Sequence, residues 1–230
     1  MKNESKKVIV SWSSGKDSTL TLIRLLEDPQ YEVVGLYTTH VDGEVPFQVT
    51  PISVVKMQAE LANLPLVTIQ LPEVFPPNEV YQSYIVKGLK NSKLEIDAVA
   101  FGDMFCNGIM EYRKSYIEKA GWECVFPLMG TPSTELANEI LDRGIETIVV
   151  TVDGNKLPSS LCGEWYSKEL IANLPNEIDP CGENGEFHTL VTSAPCFSHN
   201  LCLWSISIEC TERFHHLRYV ANIGEESLYQ

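Results

Sequence analysis

Val8-Ile9-Val10-Ser11-Trp12-Ser13-Ser14-Gly15-Lys16-Asp17-Ser18 reads as a buried strand, a turn of small residues and the opening turn of a helix. The turn suits an anion. Small side chains at Ser13, Ser14 and Gly15 let a ligand approach the backbone, and the N–H groups that open a helix are unpaired donors aligned with a favourable dipole. Ser13, Ser14 and Ser18 add hydroxyls, and Lys16 adds a cation where phosphate oxygens would lie.

The stretch is not a Walker A loop, because Val10 stands where the first Gly is required and Asp17 follows the Lys. It is not a dinucleotide fingerprint either, since no Gly-x-Gly-x-x-Gly is present. Ser13-Ser14-Gly15-Lys16-Asp17-Ser18 resembles the PP-loop, Ser-Gly-Gly-x-Asp-Ser, of the N-type ATP pyrophosphatases, which split ATP between its α and β phosphates.

Downstream, strand and helix patterns alternate. Leu20, Leu22, Ile23, Leu25 and Leu26 give a helical apolar stripe that ends at Asp28-Pro29, and Tyr31 to Val41 is a β-rich run. Ser53 to Asn63 reads as a helix with Ser53 as its N-cap, Leu66 to Leu71 as a strand, Asn78 to Lys93 as a helix, and Asp97 to Phe101 as a strand ending at Gly102-Asp103. A helix from Ile109, a short strand at Trp122 to Pro127, a helix over Ser133 to Arg143 and a sixth strand at Ile145 to Val152 follow. This order predicts an α/β fold: a parallel twisted sheet with helices on both faces. Ligands of such sheets lie beyond the carboxyl ends of the strands, so the loop at Ser13–Ser18 and Gly102-Asp103 should face one crevice.

Past Asp153 the character changes. Strands at Phe187 to Thr192, Leu201 to Cys210 and Phe214 to Ile223 are joined without long helices, which predicts a smaller C-terminal α+β subdomain, mostly antiparallel. The expected domains are therefore residues 1–153, which carry the PP-loop, and 154–230, to which the family resemblance described below assigns the acceptor site.

Composition narrows the partners. A formal charge of −14 over 230 residues argues against a nucleic-acid binder, which would carry a basic face. Seven Cys without Cys-x-x-Cys spacing, together with the lack of an apolar leader or membrane-length run, point to reduced thiols, a cytoplasmic location and no membrane partner. Cys181, Cys196, Cys202 and Cys210 are spaced too irregularly for a zinc site, and His215-His216 would point to opposite faces of a strand.

Asp179-Pro180-Cys181-Gly182-Glu183-Asn184-Gly185-Glu186-Phe187-His188-Thr189 is the densest run of reactive side chains. Glu186 and His188 would share one face of an emerging strand, and carboxylate plus imidazole suits a general base or capture of ammonium. Together with Ser13–Ser18, Ala100-Phe101-Gly102-Asp103, Glu111-Tyr112-Arg113 and Phe126-Pro127-Leu128, this block resembles the diphthine–ammonia ligase family in order and spacing, over most of the chain.

The resemblance implies a HUP-type α/β domain with a C-terminal extension and an ATP-dependent ligase that adenylates a carboxylate for attack by ammonia. It implies that Ser11, Ser13, Ser14, Gly15, Asp17, Ser18 and Gly102 bind ATP, with Lys16, Asp103, Glu183, Glu186 and His188 catalytic. Asp103 is the expected Mg²⁺ ligand, and Arg113, Asn184, Gly185 and Thr189 the expected substrate contacts. A homo-oligomer is a further expectation. The chain departs from the family where Ser14 replaces Gly, where Met110 and Glu164 stand at frequent Arg positions, and where Pro51-Ile52 replaces a Met-His. Its likeness to the shorter bacterial form points to a carboxylate acceptor other than diphthine. Two rival readings are a PP-loop sulfur-transfer enzyme acting on tRNA and a nucleotide-binding protein without turnover.

Overall fold

A computed structural model describes residues 5–105 and 108–224. The first half alternates β1 (Lys6–Ser11), α1 (Lys16–Glu27) and β2 (Tyr31–His40), then a small hairpin of β3 (Glu44–Val45) and β4 (Thr50–Pro51). It continues through α2 (Ile52–Leu61), β5 (Leu66–Gln70), α3 (Asn78–Asn91), β6 (Ala98–Ala100), α4 (Ile109–Ile117) and β7 (Glu123–Val125). The five longer strands pair in parallel in the order β5-β2-β1-β6-β7. The chain runs outward from β1 in one direction and then crosses back to β6, so the topological switch point lies between β1 and β6.

Alternation along β1 explains the two-sided burial. Val8 and Val10 pack with Leu22, Leu25, Val55 and Ala59 of α1 and α2. Ile9 faces the other way, with Ile85, Leu89 and Ile117 of α3 and α4. Each such fully buried aliphatic side chain stabilises the fold by roughly 1.5–3 kcal/mol before entropy is counted. Helix α2 begins at Ile52 with Pro51 at its cap and no side-chain cap bond, so Ser53 lies inside the helix instead of capping it.

The second half comprises α5 (Ser133–Asp142), β8 (Glu146–Asp153), α6 (Lys168–Asn173), β9 (Phe187–Ser193), β10 (Leu201–Cys210) and β11 (Phe214–Ile223). Its sheet is antiparallel throughout, in the order β10-β11-β8-β9. Strand β8, counted as the last strand of the first domain, pairs with β9 and β11. The break between sheets therefore falls before Glu146, and a boundary at Asp153 would cut this second sheet. Composition could not show this, because the β-branched run of β8 reads the same in either sheet.

Helix α1 serves both halves. Leu20 and Ile23 join Leu136 and Ile140 of α5, Val150 of β8 and Leu190 of β9 in one apolar cluster. Arg24, paired with Glu139 of α5, donates from Nη1 to the Pro127 carbonyl at 2.6 Å. The six cysteines among the described residues are free thiols. No helix among the described residues is long and apolar enough to cross a membrane.

Candidate functional site

The loop after β1 closes on itself. The Ser18 hydroxyl donates to the Gly15 carbonyl at 2.9 Å, and Ser13 donates to Ser18 Oγ from its backbone N–H at 3.4 Å and lies 3.2 Å from it through Oγ. Ser14 has φ +73°, the left-handed region that favours glycine, and is fully buried. Its position is the one where the PP-loop pattern has Gly, so the backbone keeps the glycine geometry despite the Cβ. Ser14→Gly should then raise stability by about 0.5 kcal/mol, since relief of about 1–2 kcal/mol of left-handed strain outweighs about 0.5–1 kcal/mol of added chain entropy. A higher urea midpoint at unchanged slope is the expected reading. A lower midpoint would mean that the Ser14 Oγ–Thr50 Oγ1 contact at 3.4 Å outweighs the strain.

Gly15 begins α1, and a Cβ there would meet Gln48 Nε2 and the Thr189 carbonyl at 3.0 Å. The Lys16 N–H donates to Thr189 Oγ1 at 3.2 Å and the Val191 N–H to the Ser14 carbonyl at 3.0 Å. The second reactive stretch is thus laid directly on the loop. Gly102, after β6, forms the facing wall; a Cβ there would sit 3.2 Å from the Asp17 carbonyl. The expectation that the loop and Gly102 border one crevice agrees with this packing, and the structure adds the 187–191 strand to it.

A cavity of about 150 Å³ lies between the loop and the second reactive stretch, lined in part by Lys16, Asp17, Gln48, Glu183, His188 and Thr189. Lys16 is almost fully buried, and its ammonium donates to Asp17 Oδ2 at 2.9 Å and to the Cys181 carbonyl. It also sits 5.7 and 5.6 Å from the Tyr166 and Phe187 ring centres. Its charge therefore ties the two motifs together instead of standing free over the loop. Burial works against that charge, but Asp17 and Glu183 outweigh it and leave the ammonium pKa raised.

Burial, reinforced by Asp17, pushes the Glu183 carboxyl up to about 8. Burial and then Lys16 pull His188 down to about 4, so its imidazole is neutral at pH 7 and can accept a proton or a hydrogen bond. The cavity wall thus offers a cation already spoken for and several acceptors.

Glu186 and Asn184 do not share that wall. Glu186 Oε2 accepts from the Asn184 N–H at 2.8 Å and Oε1 from Asn184 Nδ2 at 3.1 Å, while Asn184's carbonyl accepts from Lys156 Nζ at 2.8 Å. Both residues brace the 179–185 turn. Glu186 precedes β9, so the shared strand face expected for Glu186 and His188 is not formed. Gly185 does border the cavity.

Arg113 and Asp103 pair with each other, Nε to Oδ2 at 3.1 Å, and the guanidinium stacks 4.7 Å from the Phe101 ring centre. Asp103, which opposes the penalty of burial, holds the Arg113 pKa well above its usual value. Asp17 Oδ1 is a buried acceptor without a partner among the described residues, and no group of three or more His, Cys, Asp or Glu side chains that could hold a metal ion is found among them. Asp103, the ligand expected for Mg²⁺, has its carboxylate turned to Arg113 instead. Glu164 lies elsewhere, bordering a surface cavity with Leu161 and Trp165.

Two functional residues escaped sequence reasoning. Gln58 is fully buried: Oε1 accepts from Trp12 Nε1 at 3.0 Å, and Nε2 donates to the carbonyls of Ser14 at 3.1 Å and Val191 at 2.7 Å. A polar residue in the apolar stripe Val54, Val55, Leu61 was the available signal. Gln48 reaches the cavity from the turn between β3 and β4, where nothing in the sequence marks it out.

Comparison with known proteins places these features in a wider set. The model of the diphthamide synthase N-terminal domain matches residues 6–125, and that of the diphthamide synthase C-terminal domain matches residues 132–224. A diphthine–ammonia ligase of Schizosaccharomyces pombe is 25% identical over 224 residues, covering 86% of this chain and 36% of that protein. This chain thus spans about a third of the length of that relative. A solved protein of Methanocaldococcus jannaschii, titled a predicted subunit of tRNA methyltransferase, aligns over 61% of this chain and 77% of its own at 18% identity and TM-score 0.42. The U34-tRNA thiolase of Methanococcus maripaludis aligns over 61% and 58% at 17% identity and TM-score 0.38.

Proposed function

The chain belongs to the diphthamide synthase family, and from that membership we propose that it uses ATP to adenylate a carboxylate and passes the acyl group to ammonia. Pyrophosphate leaves in the first step, and the amide and AMP in the second. The observation that carries this reading is the single cavity in which Lys16 and Asp17 of the first motif meet Glu183, His188 and Thr189 of the second.

The loop N–H groups and the start of α1 would take the phosphates, with Ser11, Ser13, Ser14, Gly15, Ser18 and Gly102 shaping the approach. Mg²⁺, held on Asp17, would offset phosphate charge. At about 150 Å³ the cavity is smaller than the roughly 300–1,000 Å³ of a whole-ligand site. The nucleotide would therefore lie across its mouth, and the small reactants inside. Glu183, partly ionised near neutral pH, would take a proton from the nitrogen nucleophile, and Lys16 would stabilise the leaving pyrophosphate. Arg113, paired with Asp103, would border the acceptor carboxylate. Asn184 and Glu186 would act by fixing the turn that carries Glu183.

Incubation with ATP, Mg²⁺, ammonium and a panel of carboxylates that includes diphthine should release AMP and pyrophosphate in equal amounts with one acceptor. ADP as the nucleotide product would refute the reading.

A further inference from the structure

Gln48 is more than nine-tenths buried, yet its Oε1 has no partner among the described residues. Its Nε2 points at the Thr189 carbonyl at 3.4 Å, which fixes the orientation of the amide and turns Oε1 away from that carbonyl. The residue borders the cavity beside Glu183 and His188. Its backbone is held in place deliberately. Phe47 and Val49 on either side have φ +67° and +54°, unfavourable for any residue with a Cβ and most of all for a β-branched one, and Thr151 Oγ1 donates to the Gln48 carbonyl at 3.2 Å. Strain on both flanks of one buried, half-satisfied amide marks a residue placed for a ligand.

The chemistry of that ligand follows from the groups that face it. Gln48 Oε1 only accepts, the neutral His188 ring has one accepting nitrogen, and Glu183 becomes a pure acceptor once ionised, so together they call for a cationic donor. Phosphates supply none, and they are served by the loop N–H groups. A cavity of about 150 Å³ has room for a group of about half a dozen heavy atoms, far less than a nucleotide.

We propose that this cavity is a binding pocket for ammonium, in which Gln48 Oε1 accepts one N–H and Glu183, releasing its proton to solvent as the cation enters, accepts another, and in which Gln48 sets the selectivity for an N–H donor. The proposal rests on the amide-forming reading above and adds a residue to it. A fully methylated ammonium has the same charge and no N–H, so it leaves these acceptors unsatisfied.

The test is a thermal-unfolding series of the full chain in ammonium chloride, sodium chloride and tetramethylammonium chloride at equal ionic strength. Gln48→Met keeps the side-chain length without the carbonyl, and Gln48→Asn withdraws the carbonyl by one methylene; midpoints in sodium chloride report whether each variant is folded. Ammonium should raise the wild-type midpoint over both other salts, with an apparent affinity at least tenfold weaker in either variant. An absent ammonium-specific shift in the wild type, or an equal shift in Gln48→Met and Gln48→Asn, overturns the proposal. The two readings fail separately. AMP formation with the same ammonium KM in wild type and Gln48→Met would remove the pocket and leave the ligase. A Gln48-dependent shift without AMP formation from any carboxylate would remove the ligase and leave the pocket.

Discussion

Lys16→Met is expected to destabilise the protein by about 3–5 kcal/mol, the usual cost of leaving one member of a buried ion pair alone. Methionine fills the channel between Tyr166 and Phe187, so the loss reports charge and not volume. What remains is Asp17 with no cation and a Cys181 carbonyl with no donor. Burial already raises the Asp17 pKa, and removing Lys16 raises it further. An acid with a raised folded-state pKa binds its proton more tightly when folded, so the variant's deficit should shrink as pH falls through that pKa and be largest above it. Urea midpoints at pH 5 and pH 8 read this directly. The double variant Lys16→Met/Asp17→Asn should recover most of the stability, because no charge is left unpaired, while AMP formation stays down by about 10²–10³-fold. A double variant that recovers turnover along with stability would assign Lys16 a purely architectural role.

Gln58→Leu should cost about 3 kcal/mol, although the two side chains are close in size. The Trp12 indole N–H loses its acceptor and the Ser14 and Val191 carbonyls lose a donor, and each buried group left unsatisfied costs about 1–3 kcal/mol without full additivity. The second effect falls on the ligand. Ser14 would be held in its left-handed conformation by fewer bonds, and affinity for a non-hydrolysable ATP analogue should drop about tenfold, equivalent to 1.4 kcal/mol. Calorimetric titration beside a urea melt separates the two losses. Undiminished ATP-analogue affinity would show that the loop keeps its shape without Gln58.

The residues that announced themselves in the sequence did so for local reasons. Val8, Ile9 and Val10 are buried whichever neighbours they meet, and a small-residue turn before a helix has one geometry whatever follows it. Hence the strand, the loop and the parallel sheet could be read directly, as could the strand limits Leu201–Cys210 and Phe214–Ile223. The relation between distant segments could not. Glu186 and His188 share a spacing that suits catalysis, yet Glu186 is consumed by its own turn because Asn184 is nearer than the cavity. Asp103 and Arg113 are expected to hold separate ligands, yet they pair with each other. Strand β8 has no local mark that tells a parallel from an antiparallel neighbour. Gln48 and Gln58 matter through partners about 130 to 140 positions away, at separations of 141 and 133, which no window along the chain covers.

Those long separations bear on how the protein is made. Lys16 meets Thr189 across 173 positions, and Ser14 meets Val191 over a similar span. A nascent chain that has reached residue 125 already has all five parallel strands, since β7 ends there, but it lacks the two contacts that finish the nucleotide loop. At roughly 5–20 residues per second, several seconds of translation pass before those contacts can form. During that interval the emerging domain carries a loop that lacks its contacts to Thr189 and Val191. The loop's final geometry thus depends on β9, the ninth of eleven strands to be synthesised.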